Sequence, residues 1–319
     1  MTTTTLPPLS AATRDIASAS KRLAWQRRAY TLLAIGLLVA AVVAASLFAD
    51  DSNAGHFVDR LPHLFDFLSW LIPRDWNDVW RALFDIASPN AVPGEEFNFP
   101  KGRVDVWGAF YIPEYFYLML TTINVALVAT LVGFGLAVPL SFLAARNYAP
   151  LGWLRIVTKR VMELLRAFPE IVFAGLFAAV LSIGPIAAIM AITLHCIGAL
   201  GKLFYEVVEN AEMGPDEGLT AVGGNWISRV RFAALPTVLP NFTSYGLLRF
   251  EINVRASTII GAVGGGGIGE ELKLSISRGF GAKTLALVLL IFLTILAVDQ
   301  LSAWLRRRLV GDAGYAQLR

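Results

Sequence analysis

The sequence predicts an all-α integral membrane protein with six transmembrane helices, and three observations carry that prediction. Of 319 residues, 56% are hydrophobic and only 16% charged, with a mean hydropathy of +0.60; a soluble domain carries roughly 25% charged residues. Long charge-free runs recur along the chain. Basic residues flank those runs on alternate ends, the distribution that places basic loops in the cytoplasm. The net charge of +3 is small and points to no nucleic-acid partner. The single cysteine, Cys196, lies in an apolar run, so neither an intrachain disulfide nor a cysteine-based metal site is expected.

Residues 1–28 read as a cytoplasmic tail rather than a cleavable signal, because the apolar run after them is as long as a full span. The first span covers 29–49. Lys21, Arg22, Arg27 and Arg28 precede it and Asp50 and Asp51 follow it, which orients the N-terminus inward. Residues 50–114 are then extracytoplasmic and hold Trp70, Trp76, Trp80 and Trp107. Leu61, Leu64, Phe65, Leu68, Leu71 and Ile72 recur at helical spacing, which predicts a helix on the outer membrane surface; a buried pair of short helices is the alternative. His56 and His63 read as isolated surface histidines. Residues 115–145 form the second span, with Pro139 a kink, and the basic loop 146–166 follows.

The uncharged run from Ile171 to Gly201 is too long for one upright helix and short for two. The basic segments on either side both belong in the cytoplasm, so the chain crosses an even number of times. Gly184-Pro185 is the natural turn, giving spans near 163–183 and 185–204, the first with Arg166 or Glu170 close to its inner end. A fifth span near 238–261 contains Arg249, Glu251, Asn253 and Arg255. The sixth, 284–305, ends at Arg306-Arg307-Arg308, and 306–319 is a cytoplasmic tail. Residues 115–305 are thus the core, with 205–237 as its polar cytoplasmic loop.

That loop carries the sharpest motif. Pro215 suits the first position of a helix, Asp216 and Glu217 set negative charge against its positive end, and Gly223-Gly224 stop it after about two turns. A second stretch runs from Trp226 to Leu235-Pro236. A short capped helix held out from the membrane is built to dock something. The run Gly264-Gly265-Gly266-Gly267-Ile268-Gly269 lacks the Lys-Ser/Thr of a P-loop and follows a span, so it reads as a sharp turn with close packing at the outer face.

Ionisable groups within a span face the protein interior or a wet cavity and are functional candidates. Glu251 and Arg255 have the favourable spacing and order for a helical pair. Arg249 lies close to mid-membrane, and Asn253, Ser257 and Thr258 add polar groups. Two readings stand, an internal ion pair and a path for solute; two arginines to one glutamate favour an anion. His195 reads as an interhelical hydrogen-bonding residue. With Glu170 it is also the one pair that an intramembrane enzyme would use.

Glu217, Gly223, Leu235 and Pro236 reproduce the spacing of the "EAA" docking loop of ABC-importer permeases, with Gly218-Leu219 in place of the usual Ala-Ala and Ala233 in place of a branched apolar residue. The stretch LHCIGALGKLFYEVVEN, the segment GPDEGLTAVGGNWISRVRFAALP and its continuation to GAVGGGGIG closely resemble permease subunits of phosphonate-type ABC importers, as does RAFPE at 166–170. The likeness covers roughly 115–305. It implies the type I permease fold of methionine-type importers, with a coupling helix and a second permease copy as homodimer partner. It further implies two cytoplasmic ATPase subunits that bind ATP and Mg, and an extracytoplasmic solute-binding protein. The chain itself would be a multi-pass cytoplasmic-membrane subunit and not an enzyme, moving phosphonate, phosphate or a related oxyanion. A permease of this fold for another small solute such as methionine is the alternative.

Overall fold

The computed structural model describes residues 11–51, 65–66, 69, 72, 75–84, 103–106, 110–182, 184–279 and 281–317. The chain divides into two compact units, Met1–Ser69 and Trp70–Arg319. The first unit is dominated by helix α1, Ala11–Asp51, whose segment Arg22–Ala45 is long and apolar enough to cross a membrane. The helix therefore starts well inside the stretch expected to be a tail. Between Ala11 and Gly36 the sequence has neither proline nor glycine, so nothing stops the helix from extending past the apolar run.

The second unit opens with α2, Trp76–Phe84. The Asp75 carboxylate caps it by accepting from the Asn77 amide at 2.9 Å. Its buried Val79 and Ala82 cluster with Tyr115, Met119, Ile268 and Leu287. Most of the surface helix expected from the pattern over 61–72 lies outside the described residues, as do Trp70, Trp107, His56 and His63. A two-stranded antiparallel hairpin follows, β1 (Arg103–Val106) and β2 (Phe110–Pro113), with Val104 opposite Ile112. It is the one sheet among the described residues of an otherwise helical chain, and the β-branched and aromatic residues of RVDV and FYIP favour it.

Helix α3, Glu114–Ala144, matches the second span and holds Pro139 inside it. Next come α4 (Gly152–Ala167) and α5 (Glu170–Leu181), bent by 85°. The single span expected over 163–183 is therefore broken. Pro169 has no amide to donate and pushes Phe168 out of the helical region, and Phe168 is extended at φ −86°, ψ 133°. Helix α5 has 12 residues, about 18 Å, or little over half a bilayer core.

Helix α6, Pro185–Glu209, begins at the predicted turn and outruns the expected end at 204. It packs closely on α3 at Gly133, where a methyl group would sit 2.7 Å from the Cys196 sulfur. Helix α7 is Gly214–Ala221. Helix α8 (Trp226–Arg229) runs through a π-helical turn, Val230–Ala234, into α9, Leu235–Ile260. The chain does not leave the helix at Leu235-Pro236, as expected, because Pro236 falls where it is tolerated at the first turn of α9.

The glycine run makes a second π-helical turn, Gly261–Gly265, with positive φ at Gly264, Gly266 and Gly267. The Gly184 amide donates to Gly264 O at 2.9 Å, so the two predicted turns meet on one face. Helix α10 (Ile268–Arg278) follows, and α11 (Ala282–Gln317) carries the last span onward through the residues expected to form a tail. Among the described residues four helices are long and apolar enough to cross a membrane, five if the bent pair counts as one. Helix α9 has 26 residues, about 39 Å, long enough to cross, though its prolines, asparagines, hydroxyl residues and charges make it less apolar than those four.

Candidate functional site

Two polar regions stand out, one at the α7 loop and one inside the helix bundle. In the loop, Pro215 occupies the first turn of α7 and Gly223 ends it at φ +81°, a conformation that favours glycine. Asp216 does not simply face the helix dipole, as its position in the sequence led one to expect. It is almost fully buried and accepts a forked pair of bonds from Arg229, Nε to Oδ1 at 2.9 Å and Nη2 to Oδ2 at 2.6 Å. The Arg229 guanidinium, opposed by burial, holds the Asp216 carboxyl below the usual carboxylate range. Burial and then the neighbouring Asp216 carboxylate push the Tyr148 hydroxyl up to about 12.

The brace extends into the bundle. Trp226 Nε1 donates to Tyr148 O at 2.6 Å. Next to Tyr148, the Arg146 amide and Lys159 Nζ each donate to Glu209 Oε1 at 2.9 Å, at the end of α6. Glu217, Gly218, Thr220 and Gly223 are left exposed, as are Val222, Ile227 and Phe232. Leu219 and Leu235 are half-buried, and Pro236 is exposed on α9. The loop thus presents Glu212, Glu217 and Arg231 together with the apolar Val222, Ile227 and Phe232 on a braced mount.

Inside the bundle, α9 displays its charges to two different neighbourhoods. Arg255 Nη2 donates to Glu251 Oε1 at 2.8 Å and to the Asp299 oxygens at 3.0 and 3.1 Å. Arg306 lies 3.5 Å from Glu251 Oε2. Two acids balance two bases here, so the local excess of positive charge expected at Arg255 is absent. Asp299 could have been found as a lone acid in the final apolar run; nothing in sequence spacing pairs it with Arg255. Asn253 donates to Thr130 Oγ1 at 2.8 Å and Ser257 to Thr122 O at 3.2 Å, so both tie α9 to α3.

Arg249 stands with a different group. Its Nη2 is 3.9 Å from Glu170 Oε1, and His195 Nδ1 is 3.3 Å from Glu170 Oε2 and 3.0 Å from Phe168 O. Glu170 and His195 therefore meet, as the enzyme reading required, but beside a permanent cation. Arg166 is exposed near the end of α4, with no ion pair among the described residues.

Residues 137–311 match the model of the "Binding-protein-dependent transport system inner membrane component" family. The chain belongs to that family. It is 39% identical over 189 residues to the phosphate-import permease protein PhnE of Mycolicibacterium smegmatis, covering 59% of this chain and 36% of that one. To the putative phosphite transport system permease protein HtxC of Stutzerimonas stutzeri it is 33% identical, covering 58% of this chain and 66% of that one. To the putative cryptic phosphonate transport system permease protein PhnE2 of Escherichia coli it is 44% identical over 122 residues, 38% of this chain and 99% of that one. The chain spans about a third of the length of the first relative. The inward-facing MetNI methionine ABC transporter superposes with a TM-score of 0.55 at 19% identity, over 61% of this chain and 95% of that chain. The expected type I permease fold is therefore present, in a multi-pass membrane protein of a transport family.

Proposed function

We propose that this chain is the membrane-spanning permease subunit of an ABC importer for a small phosphorus oxyanion, phosphate, phosphite or a phosphonate. The family and the names of its relatives support the class. The observation that carries the mechanism is the α7 loop, an exposed helix with an acid and an apolar rim, tied by Asp216–Arg229 and Trp226–Tyr148 to the ends of the spans. A push on such a mount reaches the spans instead of dissipating in a loose loop. Two cytoplasmic ATPases would receive α7 in a cleft and hold the ATP and Mg. An extracytoplasmic binding protein would deliver the solute, and this chain would catalyse no reaction.

Six crossings, counting α9 and treating α4–α5 as one, give cytoplasmic termini and a cytoplasmic 205–237 loop. A second copy completes the path. Arg255 and Asp299 are part-exposed inside the spans, and a charge in lipid costs roughly 2.5–3.5 kcal/mol even on insertion scales, so this edge meets water or a partner. Methionine, the solute of the MetNI fold neighbour, is the rival cargo; the sequence relatives favour the oxyanion.

The test is Gly223→Asp and Glu217→Lys in the assembled transporter. Each is expected to reduce the ATPase that co-purifies and to abolish uptake, while the membrane part keeps its elution volume. Normal co-purification and uptake in both would remove the docking assignment.

A further inference from the structure

Helix α9 holds two arginines within the bundle, and they are treated differently. Arg255 is held through its Nη2 by hydrogen bonds to Glu251 and Asp299. Arg249 is not: its Nε and Nη2 are buried without a hydrogen-bond partner, and its ion-pair contact with Glu170 is 3.9 Å long, beyond hydrogen-bond range. A guanidinium offers a rigid fork of donors that matches the oxygens of an oxyanion. Buried donors left unmade are costly. One arginine of the helix thus donates to two acids, while two buried donors of the other are left open.

The nearest acid is itself held elsewhere. Pro169 breaks the helix and frees the Phe168 carbonyl, which accepts from His195 Nδ1 at 3.0 Å. The same nitrogen faces Glu170 Oε2 at 3.3 Å, while Oε1 faces Arg249. One carboxylate thus lies between two bases on different helices, at the bend between α4 and α5. A rotation of its side chain moves it from one base to the other without shifting a helix.

We propose that Arg249 is the oxyanion-binding group of the path and that Glu170 is its movable resting counter-ion. An arriving oxyanion takes the guanidinium fork, and Glu170 withdraws onto His195, which positions it. The assignment rests on the permease reading for its context, and it needs no covalent step.

The experiment is thermal melting of the full-length protein in detergent with inorganic phosphate, phosphite or methylphosphonate, against chloride at equal ionic strength. Wild type is expected to melt higher in at least one of the three. Arg249→Gln should lose that rise, and Arg249→Lys, which keeps the charge without the fork, should retain only part of it. Glu170→Gln should enlarge the rise and His195→Gln should shrink it, because a carboxylate released from His195 stays on Arg249. Opposite signs at two touching residues are not what a merely structural role produces. The double variant Glu251→Gln with Arg255→Gln should keep the rise. The assignment is overturned by no rise in wild type, a full rise in Arg249→Gln or Arg249→Lys, changes of the same sign at Glu170 and His195, or loss in the double variant. If the assembled transporter moves none of the three anions while the melting pattern holds, the import reading fails and the site stands. If it moves them unaffected by Arg249→Gln, the site fails and the import reading stands.

Discussion

Replacing Asp216 with asparagine removes the charge from a buried fork and leaves the Arg229 guanidinium facing a neutral amide. Hydrogen bonds to charged groups are worth roughly 1.5–3 kcal/mol. Arg229 is about a quarter exposed, so water recovers part of the loss, and about 2 kcal/mol is the expected local cost. At 1.4 kcal/mol per factor of ten, that is on the order of 30-fold more frequent opening of the segment. Amide exchange of 214–229 at neutral pH should speed up by about that factor, with the buried core of α3 and α6 unchanged.

The pH dependence of the fork has a definite sign. A carboxylate lowered by folding contributes stability above its unfolded pKa, roughly 3.9 for Asp, and loses it as pH falls through the folded value. Tyr148, pushed up to about 12, contributes fully below its unfolded value near 10 and loses that contribution as pH rises through the folded one. The brace should therefore be insensitive to pH between about 5 and 9. Unchanged exchange in Asp216→Asn, or a wild-type segment that loosens across that window, would refute the brace.

Gly269→Ala should lower the melting temperature and the yield, because its methyl group would run into the Thr258 carbonyl oxygen and the Ala262 amide; overpacking of this kind costs about 1–3 kcal/mol, read by melting in detergent. Gly223→Ala meets nothing within 4 Å and should cost only about 1–2 kcal/mol through its positive φ, with local loosening of α7 by exchange. Single cysteines at Ser88 and Asn225 in a Cys196→Ser background should label from outside and inside respectively; labelling of both from one side contradicts the six-crossing orientation.

Local chemistry was readable from the chain alone. Charge-free runs placed most of the spans, because lipid penalises any charge it touches. Pro215 and Gly223 bounded α7 because each acts on its own backbone, and the glycine run turns where only glycine adopts positive φ at no cost. Tertiary structure decided what those pieces do together. Asp216 looked like a helix-dipole charge until Arg229 closed on it, and α9 looked to carry an excess of positive charge around the Glu251–Arg255 pair until Asp299 arrived from another helix. The same approach of helices brought Glu170, His195 and Arg249 to one point. Periodicity and capping report a residue's own helix; a partner on another helix, between 13 and 79 positions away in these pairs, is set by which helices pack and at what depth, and that depends on the summed fit of many side chains that no short window contains.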